Sequence, residues 1–157
     1  MKFNPPLPVS WNRFIQTGKW DVVSIGDCKS WILSNFADPD GVDENPTVTH
    51  ATIWTYSNVE FHFSARGLSS NLAMIFCDNF ADFGIGPDLR FEPGWFQSDL
   101  TLLNACRILN REGIDFQKTS QNLAPQVRLK VTSGVELCFT HTDTDPNEAR
   151  LAAFSLR

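Results

Sequence analysis

Two eight-residue segments of this chain share one pattern, and that pattern constrains the fold more than any other feature of the sequence. Residues 57–64 read SNVEFHFS and residues 133–140 read SGVELCFT, so they align without a gap. In the first segment Val59, Phe61 and Phe63 alternate with polar residues, which is the period of a strand with one buried face. Ser-Asn and Ser-Gly are typical of the short turns that join antiparallel strands. Each segment therefore predicts a β-hairpin.

The neighbouring sequence extends each hairpin to three strands. The predicted strands lie at residues 51–55, 58–64 and 72–78 in the first trio, and at residues 127–132, 135–140 and 151–156 in the second. A Leu-Ala pair opens the third strand of each trio. Between the trios, residues 80–93 are rich in Gly, Pro and Asp, which predicts a loop with a short strand at residues 89–91.

A helix is predicted before each trio. The first covers residues 27–36, with Asp27 as its cap. Its predicted buried face comprises Cys28, Trp31, Ile32 and Phe36, and its opposite face Lys29, Ser30 and Ser34. The second covers residues 98–112, from an N-cap at Ser98 to a C-cap at Gly113. Its predicted buried face comprises Leu102, Leu103, Cys106 and Leu109. Another short helix, followed by an extended stretch, is predicted within residues 10–23.

The order of helix and strands recurs, which predicts a duplicated unit of one helix and three antiparallel strands, with pseudo-repeats at residues 24–80 and 97–157. Similar hairpins also arise in unrelated sheets, so chance likeness is the alternative to duplication. In either case two amphipathic helices must cover antiparallel sheet. The prediction is a single α+β domain spanning residues 1–157, a length that buries about two-thirds of the unfolded chain's surface.

Composition limits the compartment and the classes of partner that we expect for this chain. The 13 Phe and 5 Trp make the chain too apolar to be disordered. It lacks the pattern of a signal peptide and a stretch long enough to span a membrane, so the cytoplasm is the expected compartment. The net charge of -5 argues against nucleic acid or an anionic membrane as partner, because both recruit clusters of Lys and Arg. An acidic protein is suited to a basic protein partner.

Motifs for chemistry are lacking in the sequence. The four cysteines (Cys28, Cys77, Cys106 and Cys138) and the three histidines (His50, His62 and His141) do not have the spacing of metal ligands. We therefore expect buried, reduced thiols, and no metal or cofactor. Phe83-Gly84-Ile85-Gly86-Pro87 contains G-x-G, but Pro87 blocks the helix start that would bind a phosphate. No catalytic residue is predicted, and the protein is not expected to be an enzyme.

Carboxylates concentrate in the predicted loops, where they serve solubility, an interaction surface or, as a third alternative, a metal or catalytic site. Glu60 and His62 lie on the outward side of the clearest strand, where a partner could reach them. The predicted partner-binding residues are Asp38, Asp40, Asp43, Glu44, Glu60, His62, Asp82 and Asp88.

The run YSNVEFHF at residues 56–63, followed by LAMIFCDNF at residues 72–80, resembles a pattern in small bacterial immunity proteins of toxin systems, including contact-dependent growth inhibition. Later segments, VRLK at residues 127–130 and SGVELCF at residues 133–139, fit the same pattern, and the likeness covers about two-thirds of the chain. Ser57 stands where the pattern has Gly. The family's proteins are small, often acidic, cytoplasmic and α+β, and they block a toxin domain by binding it.

The resemblance thus implies an immunity protein that neutralises a toxin domain, and the acidic loops predict a cationic one, such as a nuclease. Two alternatives stay open. One is an adaptor or structural subunit whose tryptophans form a permanent interface (Trp11, Trp20, Trp54 and Trp95). The other is a small enzyme with a pocket that the sequence does not reveal.

Overall fold

The computed structural model describes residues 6–44, 47–80, 83–120, 125–141, 145 and 148–157. In chain order the described elements are β1 Leu7–Ser10, α1 Trp11–Thr17, α2 Lys29–Asn35, β2 Gly41–Val42, β3 Ile53–Tyr56, β4 Val59–Phe63, β5 Leu72–Cys77, β6 Leu89–Glu92, α3 Leu102–Arg111, β7 Phe116–Ser120, β8 Gln126–Val131, β9 Glu136–Thr140 and β10 Arg150–Leu156.

Eight strands form one sheet in the order β2-β3-β4-β5-β10-β9-β8-β7, and all neighbours in it are antiparallel. Strands β1 and β6 pair in parallel as a separate two-stranded sheet. The predicted α+β class, with helices on antiparallel sheet, is confirmed. The six strands of the two trios and the short strand at residues 89–91 are also present, with boundaries shifted by one or two residues.

One apolar core joins the helices to a single face of the large sheet. The ring of Phe154 in β10 lies 5.3 Å from Trp11 and 5.5 Å from Phe14 of α1. The rings of Phe36, after α2, and Phe61 in β4 are stacked 6.3 Å apart. Trp11, Trp20 and Trp54 are fully buried, and Trp95 packs against Trp11. Trp11, Trp20 and Trp54 are therefore core residues and are not available for a permanent interface, whereas Trp95 is half-buried against the core.

The two halves of the sheet share one hydrogen-bonding register. Glu60 in β4 pairs with Phe76, and Glu136 in β9 pairs with Ser155. A β-bulge omits Ala73 from the β4–β5 pairing and Ala152 from the β9–β10 pairing. The Leu-Ala pair that opens both strands therefore marks the same bulge, a feature that bends a strand at a fixed place.

The start of each helix is attached to the sheet in the same way. The backbone N–H of Lys29 in α2 donates to Ser70 O at 2.9 Å, and that of Leu102 in α3 donates to Ala149 O at 2.8 Å. Cys28 forms a bridge with Asn71, as Thr101 does with Arg150. We refer to residues 24–80 as the first repeat and residues 97–157 as the second repeat.

The repeats meet about a pseudo-twofold axis between β5 and β10. Cys77 pairs with Phe154 and Ile75 pairs with Leu156. When each residue is replaced by its equivalent in the other repeat, with Leu72 equivalent to Leu151, the pair Cys77–Phe154 becomes the pair Leu156–Ile75. The axis therefore passes between Phe76 and Ser155. Each repeat contains one helix and four strands rather than three, because β2 and β7 flank the predicted trios.

The turns of the two hairpins differ. Tyr56 pairs with Val59 across a two-residue turn in which Ser57 has positive φ, at 53°. In the second hairpin the N–H of Gly134 donates to Val131 O at 2.9 Å, and Gly134 has φ 94°. That loop has three residues, since its bulged glycine adds one position. The ungapped sequence match therefore joins equivalent strands through turns that do not superpose.

The predicted helix caps and faces need correction. Cys28 occupies the N-cap position of helix α2 without a side-chain capping bond, while the Asp27 carboxylate accepts a hydrogen bond from the N–H of Ser24 at 2.7 Å. Lys29 is buried and Trp31 is exposed, the reverse of the prediction. Helix α3 starts after Thr101, whose hydroxyl accepts from the Asn104 N–H, and not at Ser98.

Two predictions about buried side chains also fail. In α3 the fully buried residues are Leu102, Ala105 and Leu109, which recur at three- and four-residue steps on one face of the helix. Leu103 and Cys106 are only half-buried. Of the four cysteines Cys77 alone is buried, and the other three are half-buried free thiols.

Candidate functional site

The two repeats carry very different charge on the same framework. Residues 24–80 contain seven carboxylates and two Lys or Arg residues, whereas residues 97–157 contain seven of each. The remaining segments contain four of each, so the whole net charge of -5 belongs to the first repeat. Because the second repeat builds the same register with balanced charge, the fold itself does not require this excess.

The excess is concentrated beside β2, the outermost strand of the first repeat. We call Asp38, Asp40, Asp43 and Glu44, which flank β2 on both sides, the acidic edge. Three of these residues are exposed and Asp43 is half-buried. The structure thus places four of the predicted partner-binding residues together on one border of the sheet.

Asp40 connects the acidic edge to a distant loop. Its Oδ2 accepts a hydrogen bond from the backbone N–H of Ser57 at 2.6 Å. Gly86 approaches so closely that a Cβ there would lie 2.6 Å from the same oxygen, and its φ of +96° also favours glycine. The G-x-G segment is therefore a loop that contacts a carboxylate, in agreement with the loop predicted for residues 80–93.

This contact creates a shallow depression of about 670 Å³. Its lining residues are Asp40, Ser57, Gly84, Ile85, Gly86, Pro87, Leu89 and Phe91. Asp88 is exposed between two of them, so two acidic loops that are far apart in sequence meet at one apolar depression. Asp82, also predicted to bind the partner, lies outside the described residues.

Tyr56 lies buried behind the acidic edge. Its hydroxyl donates a hydrogen bond to Ala37 O at 3.0 Å, which fixes the chain just before Asp38. Burial, and then the nearby carboxylates of Asp38 and Asp40, raise the pKa of Tyr56 well above its usual value. The hydroxyl therefore stays protonated at neutral pH and keeps donating to that carbonyl.

Asp43 is held as firmly as Asp40. Its Oδ2 accepts hydrogen bonds from both the N–H of Thr52, at 2.9 Å, and the hydroxyl of Thr52, at 2.7 Å. Bonds from backbone donors orient a carboxylate and satisfy part of its need for hydration. Two of the four carboxylates of the acidic edge are thus preorganised.

Glu60 and His62 lie on the face of the sheet opposite the helices, as predicted. The His62 Nε2 and Glu60 Oε2 atoms are 2.7 Å apart, and the side chains are 26% and 38% exposed, respectively. The pair borders Met74 and Phe76, the cross-strand neighbours of His62 and Glu60. Such a pair can exchange a proton, but its position on an open sheet face suits partner contact better than acid-base catalysis.

Glu60 and His62 lie near the acidic edge. Glu60 pairs with Thr55, which pairs with Gly41 of β2. Two strand spacings amount to about 10 Å. A single partner can therefore cover both groups.

Two prominent residues of the first repeat were not predicted. Trp31 of α2 is 39% exposed beside Leu68, which is 45% exposed. The carbonyl of Leu68 accepts from the N–H of Ser30 at 3.0 Å, which holds the two side chains in one region. The residue of α3 equivalent to Trp31 is the exposed Asn104. The other residue is Lys29, which is buried although the sequence pattern placed it on the solvent-exposed face of the helix.

Within the ranges that the structure covers, no three His, Cys, Asp or Glu side chains are grouped as metal ligands would be. No helix of the described chain is long and apolar enough to cross a membrane. The described geometry is that of an acidic border with an apolar depression beside it, and such a border is suited to binding.

Comparison of the chain with protein-family models, with curated proteins and with solved structures finds no match. The resemblance to immunity proteins therefore stays a prediction, and the function has to be argued from the residues themselves.

Proposed function

We propose that this protein binds and neutralises a cationic toxin domain, as immunity proteins do, and that the acidic edge of the first repeat makes the contact. The observation that carries the proposal is the charge difference between two repeats of one framework. The first repeat has seven carboxylates and two Lys or Arg residues, whereas the second repeat has seven of each. Because the fold forms without this excess of carboxylates, the excess supports a role of the first repeat in binding.

The physics of such a contact divides between charge and apolar area. An acidic surface steers a cationic partner and raises the association rate. Slow dissociation needs a buried apolar centre inside a polar rim. The depression offers both, because Ile85, Leu89 and Phe91 line it together with Asp40. Asp88, next to Leu89 in the chain, is exposed.

A nuclease is the toxin class that fits best. Enzymes that cleave nucleic acids present Lys and Arg to the phosphate backbone, and their clefts are therefore positive. The acidic edge displays carboxylates along a strand border in place of phosphates. A protein that covers the cleft with such an edge excludes the substrate without any chemistry of its own.

The test is survival of cells that express the toxic domain encoded beside this gene, with and without this protein. Protection together with a complex that copurifies is the expected result. Two variants sharpen it: Asp38→Asn, Asp40→Asn, Asp43→Asn and Glu44→Gln in the first repeat, and Asp99→Asn, Glu112→Gln, Asp115→Asn and Glu148→Gln in the second.

Both variants remove four negative charges, and all four control residues are exposed. The proposal requires that the first variant lose protection while the second keeps it. Absence of protection by the unaltered protein, with no detectable complex, would exclude the immunity function. Equal loss in both variants would mean that net charge, and not the acidic edge, is what matters.

A further inference from the structure

Lys29 is a fully buried cation within the first repeat. Its side chain is 0% exposed. The ammonium Nζ donates to Ala51 O at 2.6 Å and to Thr49 O at 3.5 Å. It also lies 4.5 Å from the centre of the Phe63 ring and 5.6 Å from that of Trp54, a distance range in which aromatic faces attract cations.

In the second repeat an apolar side chain occupies the position equivalent to Lys29. The residues equivalent to Lys29, Trp54 and Phe63 are Leu102, Leu129 and Phe139, as the shared helix and strand registers establish. All three are buried and apolar. A buried ion pair or cation seldom stabilises more than an apolar replacement of similar size. The lysine therefore calls for a reason other than core packing.

The contacts of Lys29 indicate that reason, because they lead to the peptide group that joins Ala51 and Thr52. The carbonyl of the Ala51–Thr52 peptide accepts from Lys29 Nζ, and the N–H of the same peptide donates to Asp43 Oδ2 at 2.9 Å. The buried ammonium and the carboxylate at the edge thus polarise one peptide from its two sides, and linked hydrogen bonds of this kind strengthen one another. Desolvation lowers the pKa of Lys29, and the field of Asp43 opposes that effect.

Trp54 supports the same segment. Its indole Nε1 donates to Val48 O at 2.9 Å, so carbonyls of Val48, Thr49 and Ala51 all face polar hydrogens of buried side chains. The backbone N–H of Ala51 in turn donates to Thr47 O at 3.0 Å. Residues 47–52 are held from inside the core, next to the end of the acidic edge.

We propose that Lys29 is a positioning residue for the acidic edge, which it holds through the Ala51–Thr52 peptide so that Asp43 meets the partner already oriented. Preorganised groups lose less conformational entropy on binding, which strengthens a complex without adding contacts. The biological meaning of this inference rests on the proposed function, but the positioning itself can be measured without the partner.

The experiment is amide hydrogen exchange, resolved by residue, in the unaltered protein and in three variants. Lys29→Met keeps the length and apolar stem of the side chain but removes the ammonium group. Asp43→Asn removes the charge that accepts from the other side of the Ala51–Thr52 peptide. Leu102→Met is the matched control in the second repeat. We expect the amides of Ala51 and Thr52 to exchange about tenfold faster in Lys29→Met, as loss of one charged hydrogen bond implies. Amides of β9 should keep their rates, and Leu102→Met should leave residues 47–52 unchanged.

Two results would overturn the proposal. One is an unchanged exchange rate at Ala51 and Thr52 in Lys29→Met. The other is equal acceleration in both repeats, which would make Lys29 a support of the whole fold. Should Lys29→Met fail to fold, Asp43→Asn decides the matter, since loss of the carboxylate charge must lower the pKa of Lys29 further. A failure of the immunity function would leave these exchange rates as they are, so the two proposals fail separately.

Discussion

The first and second repeats show how one framework accommodates two different interiors and surfaces. Their registers, bulges and helix attachments agree, so these features belong to the fold. They differ at Lys29 and Leu102, at Trp31 and Asn104, and in charge. Differences that the fold does not need are the best guide to what the first repeat does, and substitutions at equivalent positions can test each of them.

The largest stability effect is expected where the interiors differ. Lys29→Ala removes a buried cation, leaves the Ala51 carbonyl without its donor and opens a cavity, so the free energy of unfolding should fall by about 3–5 kcal/mol. Lys29→Leu, which copies the second repeat, should cost clearly less, because leucine fills the space. Urea denaturation of both variants measures the difference, and equal losses would show that the two positions are not equivalent.

The two turns should respond in opposite directions. Gly134 has φ 94° and a Cβ there would lie 3.3 Å from Leu156 Cδ1, so Gly134→Ala should lower stability by about 1–2 kcal/mol. Ser57 carries positive φ without being glycine, so Ser57→Gly should raise stability by about 0.5 kcal/mol after the entropy of the unfolded chain is counted. Thermal unfolding compares them, and a destabilised Ser57→Gly variant would contradict the turn geometry.

The smallest effect on folding is expected at the exposed tryptophan. Trp31→Asn gives the first repeat the residue that the second has at the equivalent position, and the change in unfolding free energy should stay within about 0.5 kcal/mol. Chemical denaturation provides the value. A loss above about 1 kcal/mol would assign Trp31 to the core, as the sequence pattern first predicted.

The sequence predicted those parts of the fold that depend on local alternation. Val59, Phe61 and Phe63 are all buried in β4, and the equivalent residues of the second repeat, Val135, Leu137 and Phe139, are buried too. Strand β7 was missed because Phe116–Ser120 is polar after its first residue, as suits an exposed edge strand. Its strand character comes from pairing with β8 and not from its own pattern.

The candidate site could be predicted only in part. The loop carboxylates were visible in the sequence, but the approach of Gly86 to Asp40 joins residues that no local pattern relates. Lys29 was assigned to solvent because charged residues are rarely buried, and its aromatic and carbonyl neighbours arrive from other elements. Neutralising all four acidic-edge carboxylates is also expected to affect stability, since Asp40 and Asp43 accept backbone hydrogen bonds. Asn is therefore the better replacement there, because it retains an acceptor.

The central claim is that the acidic edge of the first repeat carries most of the binding charge, and the salt dependence of association tests it most directly. The rate constant for association with the proposed cationic toxin domain would be measured between low and high ionic strength for the unaltered protein and for the two four-residue variants. We expect the first-repeat variant to associate about tenfold or more slowly at low salt, with a flatter dependence on ionic strength, and the second-repeat variant to stay close to the unaltered protein. Equal slowing by both variants, or an unchanged rate in the first, would contradict the account.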